Sequence, residues 1–220
     1  MHLAIDTSAT ASAALISNGI VLAETSTQDT RSHSEVSVPQ VAAVLAEAGV
    51  GPERLDGIFV SVGPGPFTGL RVGIAEARVL SEVWGVPLYG VMAHYALAWD
   101  VMASGHSAPF LIVTDARRRE VYWSAFSAEG TLLDGPHVSA PTEVPSSYAH
   151  YRAFGFGAGL YPDAFHVDPD FAHRQPGAAS LGRYGQGALA AGIALPGTEP
   201  LYLRDSDAKI PAARKLGGKA

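Results

Sequence analysis

The sequence predicts an α/β fold in two related halves, on three observations. The first is a hairpin signal near the start: apolar runs at residues 11–17 and 20–27 flank Asn18-Gly19, the dipeptide best suited to a two-residue turn. The second is alternation, because the patterns that follow read helix (33–48), strand (57–62), helix (67–84), strand (86–91) and helix (93–102). The third is repetition: residues 110–114, 120–128 and 131–140 again read as three strands, with Glu129-Gly130 at the second turn. A hairpin that feeds alternating helices and strands predicts a mixed sheet covered by helices, opened in each half by three antiparallel strands.

The short apolar run from His2 to Asp6 is the first strand. Val36, Val41, Val44, Leu45 and Ala48 recur at helical spacing, and Gly49 or Gly51 ends the pattern. Ser32-x-x-Glu35 reads as a capping box that leaves Pro39 inside the helix, whereas a cap at Ser37 would put Pro39 in its first turn. The favoured reading keeps helix before Pro39. Residues 103–109 (ASGHSAP) read as a linker, giving a first lobe at 1–104, a second lobe at 105–206 and a basic tail at 207–220. After Pro145 the pattern is weaker, with a strand at 152–156, an Ala- and Gly-rich helix at 180–191 and a loop at 196–200.

Of the 220 residues, 47% are hydrophobic and 16% charged, which excludes a disordered chain. The most apolar stretch, 86–103, is interrupted by Pro87, His94 and Asp100, so no membrane span is expected. The N-terminal residues carry no basic leader or signal-length apolar run, which places the protein in the cytoplasm as an expectation. Without cysteine there is no disulfide, thiol catalysis or Cys-ligated zinc. A net charge of −6 argues against self-sufficient nucleic-acid binding, so any RNA contact is expected through another subunit. The tail, with Lys209, Arg214, Lys215 and Lys219, reads first as a solvated segment.

The segment GPGPFTGLRVGI, residues 63–74, lies between a strand and a helix, where free backbone N–H groups favour an anion. Its spacing matches neither G-x-G-x-x-G nor a P-loop, so the residues favour a stiff Gly-Pro turn. Gly69, Gly73 and Ala77, four apart, then form a row of small residues that permits close helix packing. Asp6-Thr7-Ser8 can face a phosphate or its metal, or close an Asx or Ser/Thr turn. His33 has serine four residues on, and none of the eight histidines has a partner at that distance, so no paired-histidine metal site is expected. His33 therefore reads as a structural residue. Asp115-Ala116-Arg117-Arg118-Arg119-Glu120 joins two strands and reads equally as a solvated hairpin tip or a contact for an acidic group. No nucleophile elbow or H-E-x-x-H motif is present.

In five motifs, IDTS (5–8), HSE before Pro39, GPGPFTGLRVGIAEAR (63–78), DARRREVYW (115–123) and YLRD (202–205), the sequence resembles the TsaB family over nearly its whole length. Pro66 departs from the family, where serine is common. The resemblance implies an actin-like fold (ASKHA, RNase H-like) of two related lobes. It further implies an accessory, noncatalytic subunit of the complex that makes N6-threonylcarbamoyladenosine at position 37 of tRNA. Its partners would be the catalytic TsaD-type subunit and the TsaE-type ATPase, with tRNA reached indirectly. No catalytic residue, metal or cofactor of its own is implied; ATP or ADP would act at the level of the complex. By resemblance the partner interface falls on Val36, Pro39, Thr68, Gly69, Arg71, Gly73 and Ala77, a surface that would also serve a homodimer. A Gly73→Leu variant is accordingly expected to lose the partner but keep its fold. Asp6, Thr7 and Ser8 would be a vestigial nucleotide site. The competing class is an actin-like ATP-dependent phosphotransferase or ATPase, disfavoured because Val113–Arg117 lacks a glycine pair for a second phosphate loop. A peptidase, an older label for the wider family, finds no metal pair, cysteine or serine site.

Overall fold

A computed structural model describes residues 1–27 and 33–204, with side chains left out at 33–37. The first sheet has the order β3-β2-β1-β4-β5, from β1 (His2–Asp6), β2 (Ser12–Ser17), β3 (Ile20–Ser26), β4 (Gly57–Gly63) and β5 (Leu88–Met92). β1 pairs antiparallel with β2 and parallel with β4. Asn18 and Gly19 both adopt positive φ (51° and 77°), as the predicted tight turn between β2 and β3 requires.

The second sheet is built from β6 (Phe110–Asp115), β7 (Val121–Phe126), β8 (Leu132–Ser139), β9 (Arg152–Phe154) and β10 (His166–Val167). Read from its β8 edge its order is β8-β7-β6-β9-β10, the same as in the first sheet. The pairing directions repeat too, since β6 is antiparallel to β7 and parallel to β9. The molecule is thus an α/β fold of two related lobes, each opened by three antiparallel strands.

The period-two alternation of the strands divides the first lobe into two cores. Leu3, Ile5, Leu15, Ile58 and Val60 face α1 (His33–Ala48) and α2 (Phe67–Trp84), meeting Val41, Val44, Leu70 and Ile74. On the opposite face Ala4, Ile16 and Phe59 meet α5 (Ala178–Ala190). α5 comes from the second half of the chain yet packs on the first sheet. Gly185 allows this: a Cβ there would lie 2.6 Å from the Phe59 ring. α3 (Ala93–Ala103) places Leu97, Ala98 and Val101 against Phe110, Ile112, Phe126 and Phe154 of the second sheet, joining the lobes through a continuous core.

Several boundaries differ from the sequence reading. Pro39 lies inside α1, whose backbone runs from His33 as expected, while the roles of Val36 and His33 fall on side chains outside the described residues. α2 has the expected bounds, with Pro66 as its N-cap, whereas β5 begins at Leu88 rather than at residue 86, after Pro87, which has no N–H for a strand ladder. The region beyond Pro145 also contains the five-residue helix α4 (Phe156–Leu160) and the two-residue strand β10, both too short to leave a periodic signal. Among the described residues no helix is long and apolar enough to cross a membrane.

Candidate functional site

The ends of β1 and β6, the equivalent strands of the two lobes, face a cleft between them. A cavity of about 150 Å³ there is lined by Ser8, Pro64, Pro66, Thr114, Asp115 and Arg117, among others. Both strands end alike. Asp6 is fully buried and its Oδ1 accepts the Ser8 backbone N–H at 2.8 Å; Asp115 Oδ1 accepts the Arg117 N–H at the same distance. These are two Asx turns at matching positions, the structural alternative for Asp6. Thr7 Oγ1 donates to the Gly69 carbonyl at 2.8 Å, so it too serves packing. Ser8 lines the cavity, and Gly65 packs directly on its backbone: a Cβ on Gly65 would sit 3.0 Å from Ser8 Cα.

His94 on α3 is fully buried behind this cleft. Its Nδ1 lies 2.7 Å from Ser124 Oγ and its Nε2 3.0 Å from Thr114 Oγ1, so the ring ties the first lobe to two strands of the second. With only hydroxyl partners, burial lowers its pKa from 6.5 to about 3 and the ring is neutral at physiological pH. In the unfolded chain the ring takes up a proton first, so folding loses stability as pH falls from about 6.5 towards 3 and is unaffected above that window. The expected loss from this group approaches about 1.4 kcal/mol per pH unit. Thermal unfolding of wild type and a His94→Gln variant across pH 7 to 4 checks it: the stability gap should narrow on acidification. A gap independent of pH would contradict the assignment. Among the described residues no group of three His, Cys, Asp or Glu side chains is placed to hold a metal ion.

The second candidate surface is the outer side of α1 and α2, which lie together on the first sheet. Gly69, Gly73 and Ala77 are buried within the lobe. A Cβ on Gly73 would collide with Thr7 Oγ1, so this small-residue row lets α2 approach the end of β1. The expectation that Gly73→Leu leaves the fold intact is therefore corrected. Thr68 and Arg71 are exposed, as is Pro39. Arg71 is held at the start of α2: its guanidinium lies 5.5 Å and 5.4 Å from the Phe67 and Tyr202 ring centres, and its Nε donates to Tyr202 Oη at 2.8 Å. The outward faces also hold apolar residues that the sequence reading does not single out. Val38 on α1 is 59% exposed, and Val79 and Val83 on α2 are 61% and 72% exposed. Ala75 extends the α2 row, and Ala42, Ala43 and Ala46 continue the α1 face. A signal for the α2 row exists in the sequence, since Ala75, Val79 and Val83 recur every four residues.

The TsaD family model, described as tRNA N6-adenosine threonylcarbamoyltransferase, matches residues 20–146. The chain belongs to the TsaD family. Within it the chain falls in the TsaB group, as its relatives indicate. The tRNA threonylcarbamoyladenosine biosynthesis protein TsaB of Bacillus subtilis is 35% identical over 135 residues, 60% of this chain and 57% of that protein. An uncharacterized protein of Mycobacterium tuberculosis is 42% identical over 145 residues, covering 64% of this chain and 66% of the relative. The match thus spans less than two thirds of these curated relatives' length. The structure of YeaZ from Pseudomonas aeruginosa superimposes with a TM-score of 0.77 at 28% identity, covering 92% of this chain and 99% of that one. The two related lobes are those of the actin-like fold.

Proposed function

We propose that this TsaB-group protein is a noncatalytic subunit of the tRNA threonylcarbamoyladenosine-forming complex, working in the cytoplasm and docking a TsaD-type transferase on the outer face of α1 and α2. The observation that carries the reading is the exposure of three valines on these two helices, Val38 on α1 and Val79 and Val83 on α2. Pro39, Thr68 and Arg71 lie among the exposed residues of the same helices. Absence of a paired histidine in the sequence supports a noncatalytic role. A TsaE-type ATPase would join the assembled pair, and ATP or ADP would bind there rather than in this chain. The interlobe cleft, at about 150 Å³, is smaller than the roughly 300 Å³ at which small-molecule sites begin. That size also speaks against the actin-like phosphotransferase alternative.

Omission tests the proposal. Purified TsaD-type and TsaE-type subunits, a tRNA transcript, ATP and threonylcarbamoyl-adenylate are combined with and without this chain, and modified nucleoside is quantified. Loss of product on omission, with no product from the chain alone, is the expected result. Full modification without the chain would overturn the proposal.

A further inference from the structure

α5, on the side of the first sheet opposite α1 and α2, packs along α3, and the turn between β7 and β8 closes on the pair from the second lobe. Two glycines permit this closure. Trp99 on α3 lies beside Gly187 on α5, where a Cβ would be 3.4 Å from the indole ring. Gly130 in the turn has φ of 78°, and a Cβ there would collide with Met102 Sδ on α3. Beside these contacts lies a cavity of about 360 Å³, within the range of small-molecule sites.

The walls of the cavity are aromatic and apolar. Tyr95, Trp99 and Tyr184 line it together with Met102, Leu132 and Ile193. Tyr95 and Tyr184 stack with ring centres 4.4 Å apart and 10° between their planes, and Phe126 meets Tyr95 edge-on at 5.6 Å, so both rings are held in place. Among the described residues that line the cavity, Glu129 alone is charged. Its Oε2 accepts the Ser127 hydroxyl at 2.8 Å, which holds its pKa below the usual carboxylate value and keeps it ionised at neutral pH. Burial, and then the neighbouring Tyr95, push the pKa of Tyr184 well above the usual tyrosine value, so that ring stays neutral. Arg183 is turned elsewhere: its Nε donates to the Gly19 carbonyl at 3.2 Å, and it lines a neighbouring cavity that also holds Asp56.

We propose that the cavity between α3, α5 and the β7–β8 turn binds a small organic cation, a quaternary ammonium or a protonated amine on an apolar body. Aromatic rings attract cations through the negative charge of their faces, and the Glu129 carboxylate has the same preference. A neutral apolar molecule would use the walls without Glu129, and an anion would be repelled by it.

Titration of benzyltrimethylammonium into the isotope-labelled full chain, followed by NMR, tests the proposal, with phenylacetate as a body of similar size and opposite charge. The chain has three tryptophans, and the indole N–H resonance of Trp99 alone should move. The expected Kd is about 1 mM or tighter for the cation and at least about fivefold weaker for phenylacetate. By titration calorimetry Trp99→Leu should bind the cation about tenfold more weakly, whereas Trp99→Phe, which keeps a ring, should stay within about threefold of wild type. Trp99 also takes part in packing, so the exposed Glu129 supplies an independent variant. Glu129→Lys should melt within about 2 °C of wild type and shift the preference between the two probes about tenfold towards phenylacetate. An unmoved Trp99 resonance at about 10 mM cation, phenylacetate binding as tight as that of the cation, or an unchanged preference in Glu129→Lys would overturn the proposal.

Discussion

Replacing Gly73 by leucine is expected to destabilise the first lobe by about 3–5 kcal/mol and to leave most of the protein insoluble or partly unfolded. The added Cβ would collide with Thr7 Oγ1 and crowd Thr7 Cγ2 and Cβ at the end of β1, so the buried Thr7 side chain would have to move. Overpacking of this kind costs about 1–3 kcal/mol. Moving Thr7 also breaks its buried hydrogen bond to the Gly69 carbonyl, adding roughly 1–3 kcal/mol for the stranded groups. Domains are stable by about 5–15 kcal/mol in total, so the loss is a large share of the reserve. Ala75→Leu, on the exposed side of the same helix, is the control and should alter stability by no more than about 0.5 kcal/mol. Thermal unfolding distinguishes the pair; a Gly73→Leu protein that melts with wild type would refute the close packing of α2 on β1.

The opposite pattern is expected of Val79→Glu/Val83→Glu. Both positions are more than half exposed in the monomer, so the folded chain should keep its melting temperature within about 2 °C. In the complex the same two side chains would be desolvated against the transferase, and a carboxylate there has no water to hold it. Loss of about 3 kcal/mol corresponds to roughly 100-fold weaker association or more. Titration calorimetry or a pull-down with the TsaD-type subunit measures it, with size-exclusion chromatography of the chain alone showing whether a homodimer uses the same face. Undiminished binding by the well-folded double variant would move the docking surface elsewhere.

Much of the architecture is legible in the sequence because local chemistry specifies it. Asn18-Gly19 marks a turn that needs two positive φ values, and both residues supply them. The sequence bounds α2 correctly at both ends, since Pro66 cannot continue a helix backwards and Gly85 closes the C-terminus in the left-handed region with φ 65°. The matching order of the two halves likewise follows from three successive strand patterns in each. The site is less legible. α2 has two apolar rows of period four, Gly69-Gly73-Ala77 and Ala75-Val79-Val83, and periodicity identifies both without saying which faces the sheet.

Turns, caps and alternation act over a few residues, so the longer elements, the repeated opening of each half and the family are written in the linear chain. Which face of α2 is buried is settled only in the folded molecule, since that depends on Thr7 reaching Gly69 across 62 positions of chain. Folding also brings Arg204 to Ala116 and Glu120, making neighbours of two basic segments that the sequence shows as separate. His94 is the same case in the core: its ring meets hydroxyls on two distant strands, and only their convergence around a dry imidazole keeps it uncharged. Contacts between residues far apart in sequence leave no periodic trace in either segment, so charge and burial at such sites become readable only when the chain is folded.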